Sequence, residues 1–472
     1  MKSAHRTLLG SLAFLGSLAS LGGLAACNGA GSVPGVGGST AASTASNLFR
    51  SNQSRIRPAG SLCNDYKLNL VNKTSQIEDK NVYFLLEGRD GPDPKTAKYI
   101  YLVDAADGKT EVAKHGKDVK NFNLSQTPEF RIPNIWAGRF YVSYDHPLVL
   151  PVNQDGRIIE PAAANEADPN YNTPWDFIEL NKRDCNGFEP AFAPNLSQVD
   201  EFTIPMEFHV EGQPRPGWKD QETRGVKPGA YNEIKRQIEA AGPFAGLVLA
   251  GGSGRILSPI KGYDSNPKLH TYYDEYIKKV WGKYAGGDKL HMTFNLCGKT
   301  VPSGLEGQVT NGNLVFKQTG LSPCKIDNIA FKMPSTRDVF FGLIQDDCVA
   351  GCDGANQADV RHQIGAALNA AFYRSTLLAT NTISNRVGDP NAEGNPWPKS
   401  DVDYCEQKDA IFYDAVTTNF FGKYIHEHAI DHLAYLSSVD EVCNQSSLVI
   451  FTVPGFKDHI NQVPFTVTLV AR

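Results

Sequence analysis

Short runs of alternating apolar residues, separated by Gly, Pro, Asn and Asp, fill the chain between Leu68 and Pro205. The clearest of them read NVYFLLEG, KYIYLVDA, GRFYVSY and PLVLPV. Because successive side chains of a strand point to opposite faces, such a run can bury one face against a neighbouring layer. Several runs of this kind at this spacing predict an antiparallel sandwich or barrel.

Helical periodicity begins beyond this strand-rich region. Residues 230–241 and 269–284 have helical spacing, and Tyr273, Ile277 and Trp281 of YYDEYIKKVWGKY share one face of an amphipathic helix. The strand-like runs LHMTFNL and NLVFKQ follow, and then come helical stretches around IGAALNAAFYRSTLL and YIHEHAIDHLAY. The runs SSLVIFTV and PFTVTLVAR are expected to be strands at the end of the chain.

Strands at both ends of this order, with helices between them, predict a mainly β fold with an inserted α/β part. The expected β subdomain covers about 61–225, 289–345 and 440–472, and the expected mixed α/β subdomain covers about 226–288 and 346–439. The roughly 410 residues of the globular region are enough for a large core divided between two such subdomains.

The first 27 residues have the pattern of an export signal. A charged start precedes an apolar run that ends in LAAC at Cys27, and this run is too short for a membrane-spanning helix. LAAC resembles a bacterial lipobox, in which the cysteine carries lipid; ordinary secretory cleavage after Ala26 is the alternative. Residues 28–60 are rich in Gly, Ser, Ala and Thr and are expected to form a flexible tether. We therefore expect an exported protein attached to a membrane only through its N-terminal lipid.

The chain has nine cysteines, and eight remain once Cys27 is set aside. An even number in an exported chain favours disulfides. Connectivity does not follow from spacing; the pairs that we expect are Cys348–Cys352, Cys297–Cys324, Cys405–Cys443 and Cys63–Cys185. A zinc site is the alternative, and it is disfavoured because two close cysteine pairs at finger spacing are absent from the sequence.

The formal net charge is -5 and no basic stripe runs along the sequence, so nucleic acid is not expected as a partner. Abundant aromatic residues and glycine are compatible with a protein that handles sugars, although composition alone decides nothing. We expect a monomer.

Two segments have a carboxylate where the alternating strand pattern predicts an apolar residue: PWDFIEL and, about twenty positions later, NLSQVDEFTIP. If each is a strand, Glu179 shares a face with Trp175 and Phe177, and Asp200 lies on the more apolar face of the second segment. A carboxylate held against apolar surface is penalised when ionised, so its pKa rises and it can donate a proton near neutral pH. A second, better solvated carboxylate could activate water. Acids that merely face solvent are the alternative.

A series of segments resembles the glycoside hydrolase family 64 β-1,3-glucanases, which share the fold of thaumatin-like proteins. In chain order these segments include AGRFYVSYDHPLVL, DPNYNTPWDFIEL, SQVDEFTIPM, GRILSPI, YYDEYIKKVWGKY, STRDVFFG and YIHEHAIDHLAY, and the match extends from about Phe130 to Arg472. The resemblance implies a thaumatin-like β-sandwich or barrel beside a mixed α/β subdomain, with a wide cleft between them for a helical glucan. It also implies endo hydrolysis with inversion, without a metal or organic cofactor.

Carried over residue by residue, the resemblance makes Glu179 of WDFIEL the general acid and Asp200 of SQVDEF the general base. Inversion leaves room for a water molecule between base and sugar, so the two carboxyl groups are expected roughly 6.5 to 9.5 Å apart. A non-catalytic glucan-binding or envelope-interaction lipoprotein on the same fold is the alternative function.

The segment between the two acids departs from the family. It holds twenty residues, LNKRDCNGFEPAFAPNLSQV, and lacks the tryptophan on which the family stacks a glucose ring. Phe188 and Phe192 could stack on sugar with less area, and Asn181 and Arg183 replace small polar residues that contact substrate in the family.

Further candidates for substrate contacts come from the same resemblance. They are Thr336, Arg337, Asp338, His426 and Asp440, with Trp175 as a sugar platform or a core residue. Simpler interpretations exist for three of these residues: an ion pair for Arg337, a structural helix for His426 and an exposed turn for Asp440. A zinc-protease motif is excluded because HEHAIDH does not have the His-Glu-x-x-His register.

Overall fold

The protein is described from a computed structural model. The described residues are 66–183, 191–211, 221–251, 253–295, 302–319, 329–344, 355–379, 381–384, 416–437, 440, 446–448, 451–452 and 463–472. The signal segment with Cys27, the tether, Phe188 and all the cysteines of the predicted disulfides lie outside these residues.

The described chain is mainly β, with 20 strands and six α-helices among the described residues. The strands are β1 Tyr66–Asn72, β2 Val82–Arg89, β3 Tyr99–Asp104, β4 Lys109–Val112, β5 Phe122–Asn123, β6 Glu129–Arg131, β7 Ile135–Tyr144, β8 Trp175–Arg183, β9 Ala191–Leu196, β10 Glu201–Phe202, β11 Met206–Glu211, β12 Gln221–Gly225, β13 Ile256–Leu257, β14 Leu290–Asn295, β15 Pro302–Thr310, β16 Asn313–Thr319, β17 Ile329–Phe331, β18 Thr382–Ser384, β19 Phe451–Thr452 and β20 Val463–Leu469. The helices are α1 Ala230–Ala240, α2 Pro259–Gly262, α3 Asp274–Ala285, α4 Thr336–Phe341, α5 Ala355–Tyr373 and α6 Phe420–His428.

The chain divides into two compact units. We call the described parts of 34–262, 424–436 and 447–472 the sandwich unit, and those of 263–423 and 437–446 the five-stranded unit. No helix among the described residues is long and apolar enough to cross a membrane.

Two large sheets form the core of the sandwich unit, and β10 and β13 pair in a separate two-stranded sheet. One large sheet has the strand order β12-β11-β20-β1-β6, and the other has the order β19-β9-β8-β7-β2-β3-β4, with β5 also paired to β2. Their facing side chains make one apolar core, in which the rings of Phe84 and Phe130 stack at 5.5 Å and those of Phe192 and Phe465 meet at 5.1 Å. The predicted sandwich is seen in the alternation of core residues, since Val82, Phe84 and Leu86 of β2 and every second residue from Phe140 to Tyr144 of β7 line this core.

The second face of the larger sheet is buried as well. Along β2, β7 and β8, the residues between the core positions are also inaccessible to solvent, among them Glu87, Arg139 and Glu179. The sheet therefore has two buried faces, and polar side chains on its second face must find partners there.

The five-stranded unit contains the sheet β17-β16-β15-β14-β18 and the helices α3, α4 and α5. Tyr273, Ile277 and Trp281 are buried, so the amphipathic face predicted for this helix is confirmed. The indole N–H of Trp281 donates to the carbonyl of Gly312 at 3.0 Å, which ties α3 to the turn between β15 and β16.

The two units do not follow the boundaries expected from the sequence. The described residues between 289 and 345 belong with the helices of the five-stranded unit, because β14 pairs in parallel with β18 and α3 packs on β15. Helix α1 belongs instead to the sandwich unit, where the ring of Tyr231 lies 5.9 Å from that of Phe202. Hydrophobic period predicted these elements but carries no information on which sheet they join.

Candidate active site

Glu179 lies in the middle of β8, in a row of polar residues that crosses four adjacent strands. Glu87 of β2 pairs with Arg139 of β7, Arg139 pairs with Glu179, and Glu179 pairs with Asn195 of β9. Since directly paired residues lie on one face of a sheet, all four side chains share the face opposite the sandwich core. Trp175 occupies the same face as Glu179, as strand alternation predicts.

The carboxyl group of Glu179 is 2% exposed and has a polar partner on each side. A terminal nitrogen of Arg139 lies 3.5 Å from its Oε1, and the Asn195 side-chain amide donates to its Oε2 at 3.3 Å. The Arg139 guanidinium also lies over the ring of Phe177, 4.6 Å from the centroid. These long contacts stabilise the carboxylate less than short, charge-assisted hydrogen bonds would.

Burial raises the pKa of Glu179 from 4.5 to about 7. Arg139 and Asn195 oppose this rise, whereas the negative charges of Asp200 and Glu160 add to it. The desolvation penalty therefore prevails over the neighbouring cation, and near neutral pH a substantial fraction of Glu179 carries a proton. A buried carboxyl group in this state has the chemistry of a general acid.

Asp200 has a different surrounding from the one expected. The predicted single strand through NLSQVDEFTIP is wrong: β9 ends at Leu196, and Asp200 lies in a bend before β10. The chain leaves the sheet there because the amide of Gln198 donates to the carbonyl of Tyr435 at 2.7 Å instead of continuing the β8 ladder. Alternation along one strand therefore does not decide which way Asp200 points.

Asp200 is paired with a cation. Its Oδ1 lies 3.2 Å from Nζ of Lys261, a partly exposed residue of α2, while Asp200 itself is 5% exposed. The Asp200 carbonyl accepts a hydrogen bond from the Ser258 amide at 3.0 Å, so the bend is fixed to the start of α2. Asp200 and Glu179 are close enough for the charge of Asp200 to act on Glu179. The separation expected for inversion stays a prediction.

A second buried ionic cluster lies beside Trp175. The Arg255 guanidinium forms an ion pair with Glu201, donates to the carbonyls of Ala163, Tyr171 and Thr173 at 2.9 to 3.1 Å, and lies 5.2 Å from the Trp175 ring centroid. Trp175 is 1% exposed. This environment favours the core interpretation of Trp175 over a sugar platform.

Asn181 and Phe192 also have structural surroundings. The Asn181 side chain accepts the amide hydrogen of Ala137 at 2.7 Å, at the bulge where β7 shifts register against β8 and Ala137 has a φ of 46°. A side chain at the adjacent Gly138 would approach the Leu180 carbonyl to 2.9 Å, so only glycine fits there. Phe192 is buried between Tyr66 and Phe465 in the sandwich core. Phe188 lies outside the described residues.

Thr336, Arg337 and Asp338 form the first turn of α4. Asp338 and Ser335 make a capping box, in which the Asp338 carboxylate accepts the Ser335 amide at 2.8 Å. The buried Thr336 hydroxyl donates to Asp274 at 2.7 Å, so it links α4 to α3. Arg337 is exposed and lies over the Phe341 ring at 4.2 Å, not in an ion pair with Asp338. Of the three, Arg337 is the side chain most available to a ligand.

His426 and Asp440 are both buried. A ring nitrogen of His426 lies 2.8 Å from the carbonyl oxygen of His432, and Asp440 lies 3.4 Å from a terminal nitrogen of Arg374. Asp440 also accepts the Ser437 amide at 3.3 Å. These contacts favour structural roles. Among the described residues, no three His, Cys, Asp or Glu side chains are grouped to hold a metal ion.

Sequence reasoning missed the polar groups that surround the two acids: Arg139, Asn195, Lys261 and Glu160. Arg139 could have been singled out, since in GRFYVSY it shares a face with Tyr141 and stands opposite Phe140. The others are brought to the acids by strand register and by chain segments distant in sequence, for which the local pattern holds no signal.

The sequence pattern of the Glyco_hydro_64 family, described as Beta-1,3-glucanase, matches residues 64–456. The chain is 27% identical over 330 residues to the glucan endo-1,3-beta-glucosidases of Cellulosimicrobium cellulans and of an Arthrobacter species. That alignment covers 69% of this chain and 52% of each relative, so the chain spans about half their length.

Solved structures show the same fold. A laminaripentaose-producing beta-1,3-glucanase in complex with laminaritetraose superposes with a TM-score of 0.61 at 23% identity, over 86% of this chain and 99% of the other. The glucanase domain of Clostridium beijerinckii gives a TM-score of 0.60 at 23% identity, over 86% and 98% of the two chains. Together with the family pattern, which covers most of the sequence, this shows that the chain belongs to glycoside hydrolase family 64, the β-1,3-glucanases.

Proposed function

We propose that this protein is an endo-β-1,3-glucanase that hydrolyses its substrate with inversion, with Glu179 as general acid and Asp200 as general base. The single observation that carries the assignment is the burial of the Glu179 carboxyl group between Arg139 and Asn195, which raises its pKa to about 7 where the charge of Asp200 also acts on it. Membership of the family, and relatives named glucan endo-1,3-beta-glucosidase, support the substrate class.

In this mechanism Glu179 donates its proton to the glycosidic oxygen as the bond to the anomeric carbon breaks. A water molecule attacks that carbon from the opposite face, and Asp200 accepts the proton that the water loses. Lys261, 3.2 Å from Asp200, holds the base in place. One proton enters at the leaving group and one leaves the water, so the cycle closes when Asp200 releases its proton to solvent and Glu179 takes up a proton from solvent.

The pH dependence follows from the acid. Glu179 must carry its proton to act, so we expect kcat to fall as the pH rises through about 7. The thaumatin-like assignment of the fold and a wide cleft for a helical glucan belong to the same proposal, and both rest on the family resemblance.

Hydrolysis of laminarin by the full-length protein in detergent tests the proposal. Loss of hydrolysis in Glu179→Gln and in Asp200→Asn, with laminarin binding retained, supports it, and NMR of the first product anomers should show inverted configuration. Glucan binding without hydrolysis by the unaltered protein would instead identify a non-catalytic glucan-binding protein. Product with retained configuration would refute the role of Asp200 as a base.

We also propose that the protein is exported and tethered to a membrane through lipid on Cys27, as a monomer. The charged start, the apolar run and the LAAC ending support export and lipid attachment. Labelling with radioactive palmitate and membrane fractionation of Cys27→Ser test the anchor: the variant should lose both label and membrane attachment. Size-exclusion chromatography with light scattering tests the monomer.

A further inference from the structure

A third carboxylate reaches the general acid through a shared cation. One terminal nitrogen of Arg139 lies 2.7 Å from Oε2 of Glu160, and the other lies 3.5 Å from Oε1 of Glu179. The first nitrogen also lies 3.4 Å from the hydroxyl of Tyr141. The guanidinium is thus a bridge between two acids, and its short contact is to Glu160 rather than to Glu179.

Glu160 and Glu179 differ in their exposure to solvent. The side chains of Arg139 and Glu179 are 3% and 2% exposed, whereas that of Glu160 is 25% exposed. A partly hydrated carboxylate keeps its negative charge at lower cost than a desolvated one. With one guanidinium between them, the charge of Arg139 is therefore neutralised mainly by Glu160, and Glu179 can stay protonated.

Other ionisable groups face this cluster from each neighbouring element. They are Glu87 of β2, Tyr101 of β3, Tyr141 of β7 and Asp200 of the bend before β10, with Arg89 and Arg157 acting on Glu87. Burial raises the pKa of Glu87 to about 8, with a further rise from Glu160. Near neutral pH Glu87 is therefore largely uncharged and competes little for Arg139.

Resting on the proposed function, we propose that Glu160 is a positioning residue for the reaction: by holding Arg139 at short range, it keeps the proton on Glu179 and fixes the guanidinium beside Glu179 Oε1. Glu160 does not touch the reacting atoms in this role. It acts through Arg139, whose orientation is also fixed by the Phe177 ring.

The sign of its effect is set by charge. In Glu160→Gln the negative charge that neutralises Arg139 is gone, so the cation acts fully on Glu179 and favours its ionised form. The pH at which kcat falls should therefore move down. Glu160→Asp keeps the charge and should restore the pH profile toward that of the unaltered protein. A residue needed only for folding would lower activity equally at all pH values.

The test is the pH profile of kcat on laminarin for the full-length protein, Glu160→Gln, Glu160→Asp and a matched control. Glu306→Gln is that control, because Glu306 is also 25% exposed and lies 2.6 Å from Lys289, in the sheet of the five-stranded unit. We expect the alkaline limb to shift down by about one pH unit in Glu160→Gln and to stay in place in Glu306→Gln. An unshifted limb in Glu160→Gln overturns the proposal, and so does complete loss of turnover at every pH, because either folding or direct proton transfer would then depend on Glu160.

A second measurement does not depend on activity. Infrared difference titrations detect protonated carboxyl groups by their C=O stretching band. The band that disappears in Glu179→Gln belongs to Glu179 and reports its proton. Its midpoint should move down in Glu160→Gln and remain near that of the unaltered protein in Glu160→Asp. If the band shifts but laminarin is never hydrolysed, the proposed function fails and the coupling stands. If laminarin is hydrolysed and the band does not shift, only the coupling fails.

Discussion

At the scale of single residues, the proton of Glu179 links catalysis to stability. The pKa of Glu179 is about 7 in the folded protein, against 4.5 for an unperturbed glutamate. The folded state therefore binds this proton more tightly than the unfolded state does, and the free energy of unfolding falls as the pH rises between these two values.

We expect Glu179→Gln, which mimics the protonated acid, to match the unaltered protein in stability at pH 4 and to exceed it at pH 8 by at most about 3 kcal/mol. Urea denaturation at the two pH values measures this difference. Glu306→Gln, in a partly exposed ion pair, should show no comparable gain. An equal effect of Glu179→Gln at both pH values would contradict burial as the cause of the raised pKa.

The cation beside the base supports a second prediction at this scale. Removing the charge of Lys261 by Lys261→Met leaves Asp200 without the partner 3.2 Å away. Because positioning of the base matters mainly in the transition state, we expect kcat on laminarin to fall at least about tenfold while KM changes little. Steady-state kinetics measures both, and a rise in KM alone would show that Lys261 binds substrate instead.

At the scale of elements, the first turn of α4 allows a structural role of Asp338 to be distinguished from its predicted role in substrate binding. Asp338 closes a capping box with Ser335, so Asp338→Ala should lower the free energy of unfolding by about 1 kcal/mol. The KM for laminarin should not change, because the carboxylate is already occupied by the Ser335 amide and hydroxyl. Urea denaturation and kinetics check the two parts, and Arg337→Ala is the matched variant that leaves the cap intact. A raised KM in Asp338→Ala with unchanged stability would show that Asp338 contacts the substrate, as the sequence predicts.

The elements that carry Glu179 and Asp200 explain why the surroundings of the two acids differ. Glu179 lies within a regular strand, where its neighbours are set by the ladder with β7 and β9. Asp200 lies beyond the end of that ladder. Its backbone is held in place because the Gln198 amide donates to the Tyr435 carbonyl and the Asp200 carbonyl accepts from the Ser258 amide at the start of α2. Both acids are buried, but Glu179 is flanked by strands whereas Asp200 contacts a partly exposed lysine.

At the scale of the molecule, strands from distant parts of the chain complete one sheet. β20 pairs in parallel with β1 over seven residues and antiparallel with β11 on its other side, so it is an interior strand of the smaller sheet. Phe465, Val467 and Leu469 bury their side chains in the sandwich core.

Deleting residues 463–472 should therefore prevent folding of the sandwich unit, because it exposes the edges of β1 and β11 and removes three core side chains. Far-UV circular dichroism and limited proteolysis measure this loss. Deletion of residues 28–60, the predicted tether, is the control and should leave the fold intact. A folded, protease-resistant protein without residues 463–472 would show that β1 and β11 are held by other contacts.

The sequence by itself determined the strand-rich fold, the amphipathic face of α3 and the face of β8 that carries Glu179, because period-two and helical patterns record local geometry. It also supplied the motifs that the family pattern matches. Tertiary structure alone decided the partners of the acids and the division into units. Arg139 and Asn195 meet Glu179 through strand register, and Glu160 reaches Arg139 from a distant segment. Both faces of the larger sheet are buried, so aromatic residues such as Trp175 and Phe192 pack in the interior, which no pattern of alternation along one strand could distinguish from a sugar-binding surface.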